Sequence, residues 1–188
     1  LDELSIAPSP LGSEELNSEA GIAELDNSAV LKWSDGLMET HHLVRNVRKA
    51  TLEQETLSRM HHNEAKKWSA KEGERARKIE AYHRSMSGQD DDVEWIEENI
   101  RLISIHDSSI AAVVIENALN LNDNQKLRSD AALLALDRGE TRIAQIHIAK
   151  MNHSPSKKLF ESRLARMDGK ISDAQRLEEE AISLSDAS

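Results

Sequence analysis

Cysteine is absent from the 188 residues, which excludes disulfides, thiolate metal sites and cysteine nucleophiles. One Phe and one Tyr accompany three Trp, so there is no large aromatic core and Leu, Ile, Val and Ala must do the packing. Helix suits that composition better than sheet. Proline occurs only at positions 8, 10 and 155, and nothing from residue 27 to residue 86 forces a helix to stop. Long apolar runs are missing as well. The longest, residues 110–115 and 131–136, fall far short of the roughly 20 residues a spanning helix needs. Nor do the first residues read as a basic and then apolar leader. No membrane partner is expected, and the lack of cysteine is compatible with the expected cytoplasmic location.

The formal net charge is −10, and it is unevenly spread. Residues 1–29 hold Asp2, Glu3, Glu14, Glu15, Glu19, Glu24 and Asp26 with no Lys or Arg, whereas bases outnumber acids in residues 30–87 and acids dominate again beyond. An acidic chain lacks the basic face that phosphate-backbone binding requires, so a nucleic-acid partner is not expected. The basic stretch of residues 66–84 is interleaved with Glu64, Glu72, Glu74 and Glu80. Spacings such as Glu74 to Lys78 and Glu80 to Arg84 read as i,i+4 pairs on a solvated helix face.

Residues 1–26 combine Pro8, Pro10, Gly12, Gly21 and serines with acidic charge, and their apolar residues keep no period. They read as an acidic flexible tail. From Asn27 or Ser28, either of which can cap a helix, the apolar stripe runs Val30, Trp33, Leu37, Val44, Val47. It resumes in a new phase at Ala65, Trp68, Ala76, Ile79 and Tyr82, with Gly36 and Gly73 as points where a helix can break. Gly88 and the aspartates at 90–92 stop one helix and start another, whose stripe is Val93, Ile96, Ile100, Ile103, Ile110, Val114, Leu121. Residues 27–121 are therefore expected to form a long antiparallel, coiled-coil-like helical hairpin turning at Gly88. Residues 122–188 are expected to form a small pack of short helices at 124–136, 140–151, 155–167 and 172–183. Turn signals at Asp137 with Gly139 and Asp168 with Gly169, and a Ser154–Pro155 start, separate them. The predicted fold class is all-α.

Gly139 is followed five residues later by Ala144, and Gly169 by Ala174, with Pro155 after the first helix pair. In this respect residues 124–188 resemble tetratricopeptide-type helical repeats. The resemblance implies a stack of antiparallel helix pairs with a groove for an extended peptide.

Histidine is the one prompt toward chemistry. Glu39 and His42, and again Glu80 and His83, stand at i,i+3, which on a helix puts carboxylate and imidazole on one face. This arrangement resembles the Glu-x-x-His element of ferritin-like diiron proteins. It implies iron or manganese held between helices, with Asp107 and Glu116 as candidate further carboxylates. The doublets His41–His42 and His61–His62 offer imidazoles for zinc or nickel between two copies of the chain. The plainer reading is histidines that each make one local hydrogen bond. Asp107 and Asn117 interrupt an aliphatic stripe, and polar residues at such positions can set helix register.

With no catalytic constellation assembled, the expected function is noncatalytic: a helical assembly, adaptor or structural subunit working through protein contacts, as a homo-oligomer or part of a larger assembly. Val30, Trp33, Leu37, Val44 and Val47 are its expected interface. The alternative is a metal-dependent, ferritin-like bundle using iron, manganese or zinc at the histidines named above.

Overall fold

The computed structural model describes residues 1–186, at Asp90 the main chain only. The chain divides into two compact units, Leu1–Gly88 and the remainder from Gln89. The first holds helices α1 (Asp2–Ile6) and α2 (Ile22–Asn27), strands β1 (Leu31–Ser34) and β2 (Leu37–Thr40), and helices α3 (His42–Thr51), α4 (Gln54–Ser69) and α5 (Glu74–Ser87). The second holds α6 (Asp90–His106), α7 (Ser108–Leu121), α8 (Gln125–Asp137), α9 (Thr141–Ala149), α10 (Pro155–Met167) and α11 (Ile171–Asp186). Apart from the two short strands, the regular structure of the described chain is helical, as the composition implies.

The expected rod over residues 27–86 is not one helix. Asn27 ends α2, and Ser28 lies at its C-terminal cap instead of opening a new helix. β1 and β2 then pair antiparallel, with Trp33 opposite Met38 and Ser34 opposite Leu37. Their two-residue turn, Asp35 (φ 52°) and Gly36 (φ 79°), has both residues in the left-handed region. That is the geometry an Asp-Gly pair favours, because its twist matches that of the flanking strands. Leu52 and Glu53 adopt extended conformations and separate α3 from α4. Gly73 (φ 100°) turns α4 back on α5, so the helical hairpin within this unit turns at Gly73, whereas the sequence pattern placed the turn at Gly88. Gly88 does adopt the left-handed conformation (φ 73°) that ends α5.

Residues 1–26 are not a tail in this fold. Leu4, Ala7 and Leu11 are buried in one cluster with Leu31, Met38, Trp68, Ala76 and Ile79, and Leu16, Ile22 and Leu25 pack against it. Leu11 also exchanges both backbone hydrogen bonds with Met38, extending the small sheet by one bridge. Fully burying a side chain of this size contributes roughly 1.5–3 kcal/mol, which works against the entropy lost on ordering the segment. Asp2, Glu3 and Glu15 of the segment pair with bases of the helices. Asp2 takes both Nε (2.5 Å) and Nη2 (2.8 Å) of Arg48. Glu15 binds Arg75 at 2.8 Å through both oxygens, and Glu3 pairs with Lys67. The uneven charge along the sequence is therefore complementary packing between an acidic segment and basic helices.

In the second unit, α6 packs on α7, α8 on α9 and α10 on α11, and α8 also touches α6, α7 and α10. Val93, Ile96, Ile100 and Ile103 are buried along α6, as their stripe implies. Asp107 does not sit mid-helix. It ends α6 and caps α7, its carboxylate accepting from Ser109 N (3.1 Å) and Ile110 N (3.0 Å). The last four helices recur with a fixed offset. α10 begins and ends thirty residues after α8, and α11 begins thirty after α9. Asn124 and Ser154 each cap a helix by accepting from the third backbone N–H beyond, Leu127 N and Lys157 N. Gly139 and Gly169 (φ 73° and 76°) lie in turns with matching hydrogen bonds: Glu140 N to Ala135 O in one, Lys170 N to Ala165 O in the other. Ala144 and Ala174, five residues on, are both wholly buried. The glycine-to-alanine spacing thus marks one turn built twice.

Candidate functional site

α7, α8 and α9 enclose a groove of about 570 Å³. Apolar side chains face it from both walls: Val113 on α7 and Ile143 and Ile146 on α9 are 47%, 41% and 47% exposed. These positions follow from local sequence. Asp107 starts α7, Asn124 starts α8, and the Gly139 turn reverses the chain so that α9 returns along α8. Gln125 ties the start of α8 to the end of α9, its Oε1 accepting from Asn152 N at 2.6 Å and its Nε2 donating to Lys150 O at 3.4 Å.

A chain of polar side chains runs across the groove. Arg128 on α8 is nearly buried and holds Asp123 through Nε (2.6 Å) and Nη2 (2.7 Å). Its Nη1 lies 3.0 Å from His147 Nδ1, and His147 Nε2 lies 2.9 Å from Glu116 Oε1. A guanidinium only donates, so Nδ1 of His147 must accept and the ring proton sits on Nε2, which donates to Glu116. This fixes the tautomer and leaves the imidazole uncharged. Burial, with the charges of Arg128 and Lys150, holds the His147 pKa below its ordinary value, while Glu116 pulls the other way. The hydrogen bond from Arg128 likewise holds the Asp123 carboxyl below the usual range. What the arrangement supplies at the groove is an oriented carboxylate.

In the first unit His61 and His83 meet on the facing sides of α4 and α5, Nδ1 to Nδ1 at 2.9 Å, both buried. One must donate and the other accept, so the accepting ring is neutral, and burial favours the neutral form of both. Burial, reinforced by the charge of Lys49, pushes His61 down to about 4. Burial, then His61, Lys67 and Lys49, pushes His83 down to about 2. Glu64 and Glu80 lie one turn along the same helices, but Glu64 is engaged by Asn17 (3.0 Å) and Lys67 (2.9 Å), and Glu80 by Arg84 (2.8 Å). Among the described residues no three His, Asp or Glu side chains are grouped so as to hold a metal ion.

The residues expected to ligate metal are dispersed accordingly. Glu39 lies on β2 and pairs with Lys32 (3.6 Å) and Arg45 (3.7 Å), so Glu39 and His42 are not one turn apart on a helix. His41 precedes α3 and His42 opens it, both exposed, while His62 on α4 is half-buried. Glu80 and His83 do share a helix, yet they turn to different partners. The expected interface residues lie on different elements because the rod is interrupted. Trp33 on β1 is 48% exposed and donates its Nε1 to Asp26 at 2.8 Å; Val47 on α3 is exposed, and Val30, Leu37 and Val44 are half-buried. Asn117 lines the groove. The Arg128–His147–Glu116 chain links three helices and has no short-range signature in the sequence. Its only trace is a histidine on the apolar stripe of α9. No protein-family model, no curated protein and no solved structure matches the chain.

Proposed function

We propose that this protein is a noncatalytic helical interaction subunit of the cytoplasm, and that the groove between α7 and α9 docks a segment of another protein. The observation that carries the reading is an open concave surface with three large aliphatic side chains turned toward water, backed by a hydrogen-bonded polar chain that holds its walls. Exposed apolar side chains gathered in a groove gain free energy when a partner covers them, at about 25 cal/mol per Å² removed from water. The paired helices with matching turns also support it, since the repeat-like arrangement resembles scaffolds whose concave faces take extended peptides. Self-association through exposed Trp33, Leu43 and Val47 belongs to the same reading.

Selection from a random-peptide display library with the whole chain as bait tests the groove. Ile143→Glu with Ile146→Glu is expected to weaken binding of the selected peptides by at least about tenfold while far-UV circular dichroism stays unchanged. Peptides that bind the double variant equally, or a library that yields none, would remove the reading. Light scattering tests the self-association: a mass of one chain at all concentrations rejects it.

A further inference from the structure

Two carboxylates line the groove. Glu116 and Glu140 line both the groove and the smaller hollow beside it, together with Ala112, Ile143 and His147. Glu140 has Arg138 at 2.8 Å, but the Glu116 side chain is 53% exposed and its one close partner among the described residues is the neutral His147. An uncharged imidazole orients a carboxylate without cancelling its charge. Arg128, which bonds the other side of His147 and feels the Glu116 charge, is already held by both oxygens of Asp123. The other cation lining the groove is Lys150, one turn beyond His147 on the α9 axis and near enough to Asp123 to act on its carboxyl. The groove therefore presents the Glu116 carboxylate beside aliphatic walls from Val113, Ile143 and Ile146, with Lys150 one turn along α9 from His147.

We propose that Glu116 in this groove takes the lysine or arginine side chain of a partner segment whose flanking side chains are apolar. The inference rests on the groove being a docking surface and adds the chemistry of its occupant. The carboxylate is preorganised by His147, so a cationic side chain gains a charge-assisted hydrogen bond without ordering Glu116 anew. The stem of such a side chain lies along the aliphatic wall.

The test uses three blocked pentapeptides of sequence Ser-Leu-X-Leu-Ser, with X as Arg, Gln or Glu, titrated at up to millimolar concentration into the isotopically labelled whole chain. The Arg peptide is expected to move the amide resonances around Val113, Glu116 and Ile143. It should bind about fivefold more tightly than the Gln peptide, the size of a partly exposed ion pair, with the Glu peptide weakest. Glu116→Gln keeps an acceptor for His147 and should erase the difference between Arg and Gln, whereas Glu140→Gln, whose carboxylate already has Arg138, should leave most of it. Equal binding of the three peptides in the groove overturns this proposal and leaves the docking reading standing. An Arg preference that survives Glu116→Gln overturns it as well. Shifts confined to other surfaces, or no shifts at all, remove both.

Discussion

The two histidines facing each other across α4 and α5 put a pH dependence into the first unit. In the unfolded chain each takes up a proton near its ordinary value of about 6.5, whereas in the fold His61 does so only at about 4 and His83 lower still. The unfolded state thus binds more protons below pH 6.5, and stability rises with pH across that window. The contribution is fully present above about pH 6.5 and is lost as the pH falls toward 4. For His61 alone it is roughly 3 kcal/mol, since each tenfold change in proton affinity is worth about 1.4 kcal/mol. Asp2 and Glu15, whose carboxyls Arg48 and Arg75 hold below the usual range, act in a lower window and lose their contribution only as they are protonated. Amide exchange in α4 and α5 at pH 7 and pH 4.5 measures the effect. Protection that does not fall over this interval, or that falls equally in a His61→Leu, His83→Leu double variant, would contradict the pairing. Neither histidine could be matched to the other from sequence, because a doublet at 61–62 and a lone imidazole at 83 look alike whichever ring faces inward.

Among the elements, those with local start and stop signals were the legible ones. α8, α9, α10 and α11 lie within three residues of the positions their caps and turns indicate, because a cap or a left-handed glycine acts over one helical turn. Ser154 with Pro155 and the Gly139 and Gly169 turns are cases in point. Residues 27–51 misled for a related reason. Asp35–Gly36 carries its own hairpin signal, but the three-and-four spacing of Val30, Trp33, Leu37 and Val44 imitates a helix, and the pair reads as a mere weak point within it. Asp107 is the instructive polar residue. On the stripe of one continuous helix it looks like a register device; as the cap of α7 it stabilises a break. Asp107→Ala is therefore expected to cost about 1 kcal/mol in chemical denaturation, as lost caps do, without altering the mass in solution. A change of oligomeric mass in that variant would restore the register role.

For the whole molecule, the largest departure concerns the first 26 residues. Composition alone marks them as too polar to order themselves. What orders them is the surface offered by the α4–α5 hairpin and the β1–β2 ribbon, with Trp68, Ile79 and Met38 as the floor on which Leu4, Ala7 and Leu11 lie. Leu11→Ala should therefore destabilise the first unit by about 2–5 kcal/mol, the range for truncating a buried leucine. Tryptophan fluorescence during urea unfolding reports it, and a loss well under 1 kcal/mol would return the segment to the status of a tail. Helical content, the lack of any helix long and apolar enough to cross a membrane among the described residues, and the caps and turns of the second unit were determined by the sequence alone. Each depends on residues within a few positions of one another. Which acid meets which base, where His61 finds His83, and how Arg128 and Glu116 come to flank His147 were decided only by tertiary structure. Those contacts join positions tens of residues apart, and the packing free energy that selects them leaves no mark on any single stretch of chain.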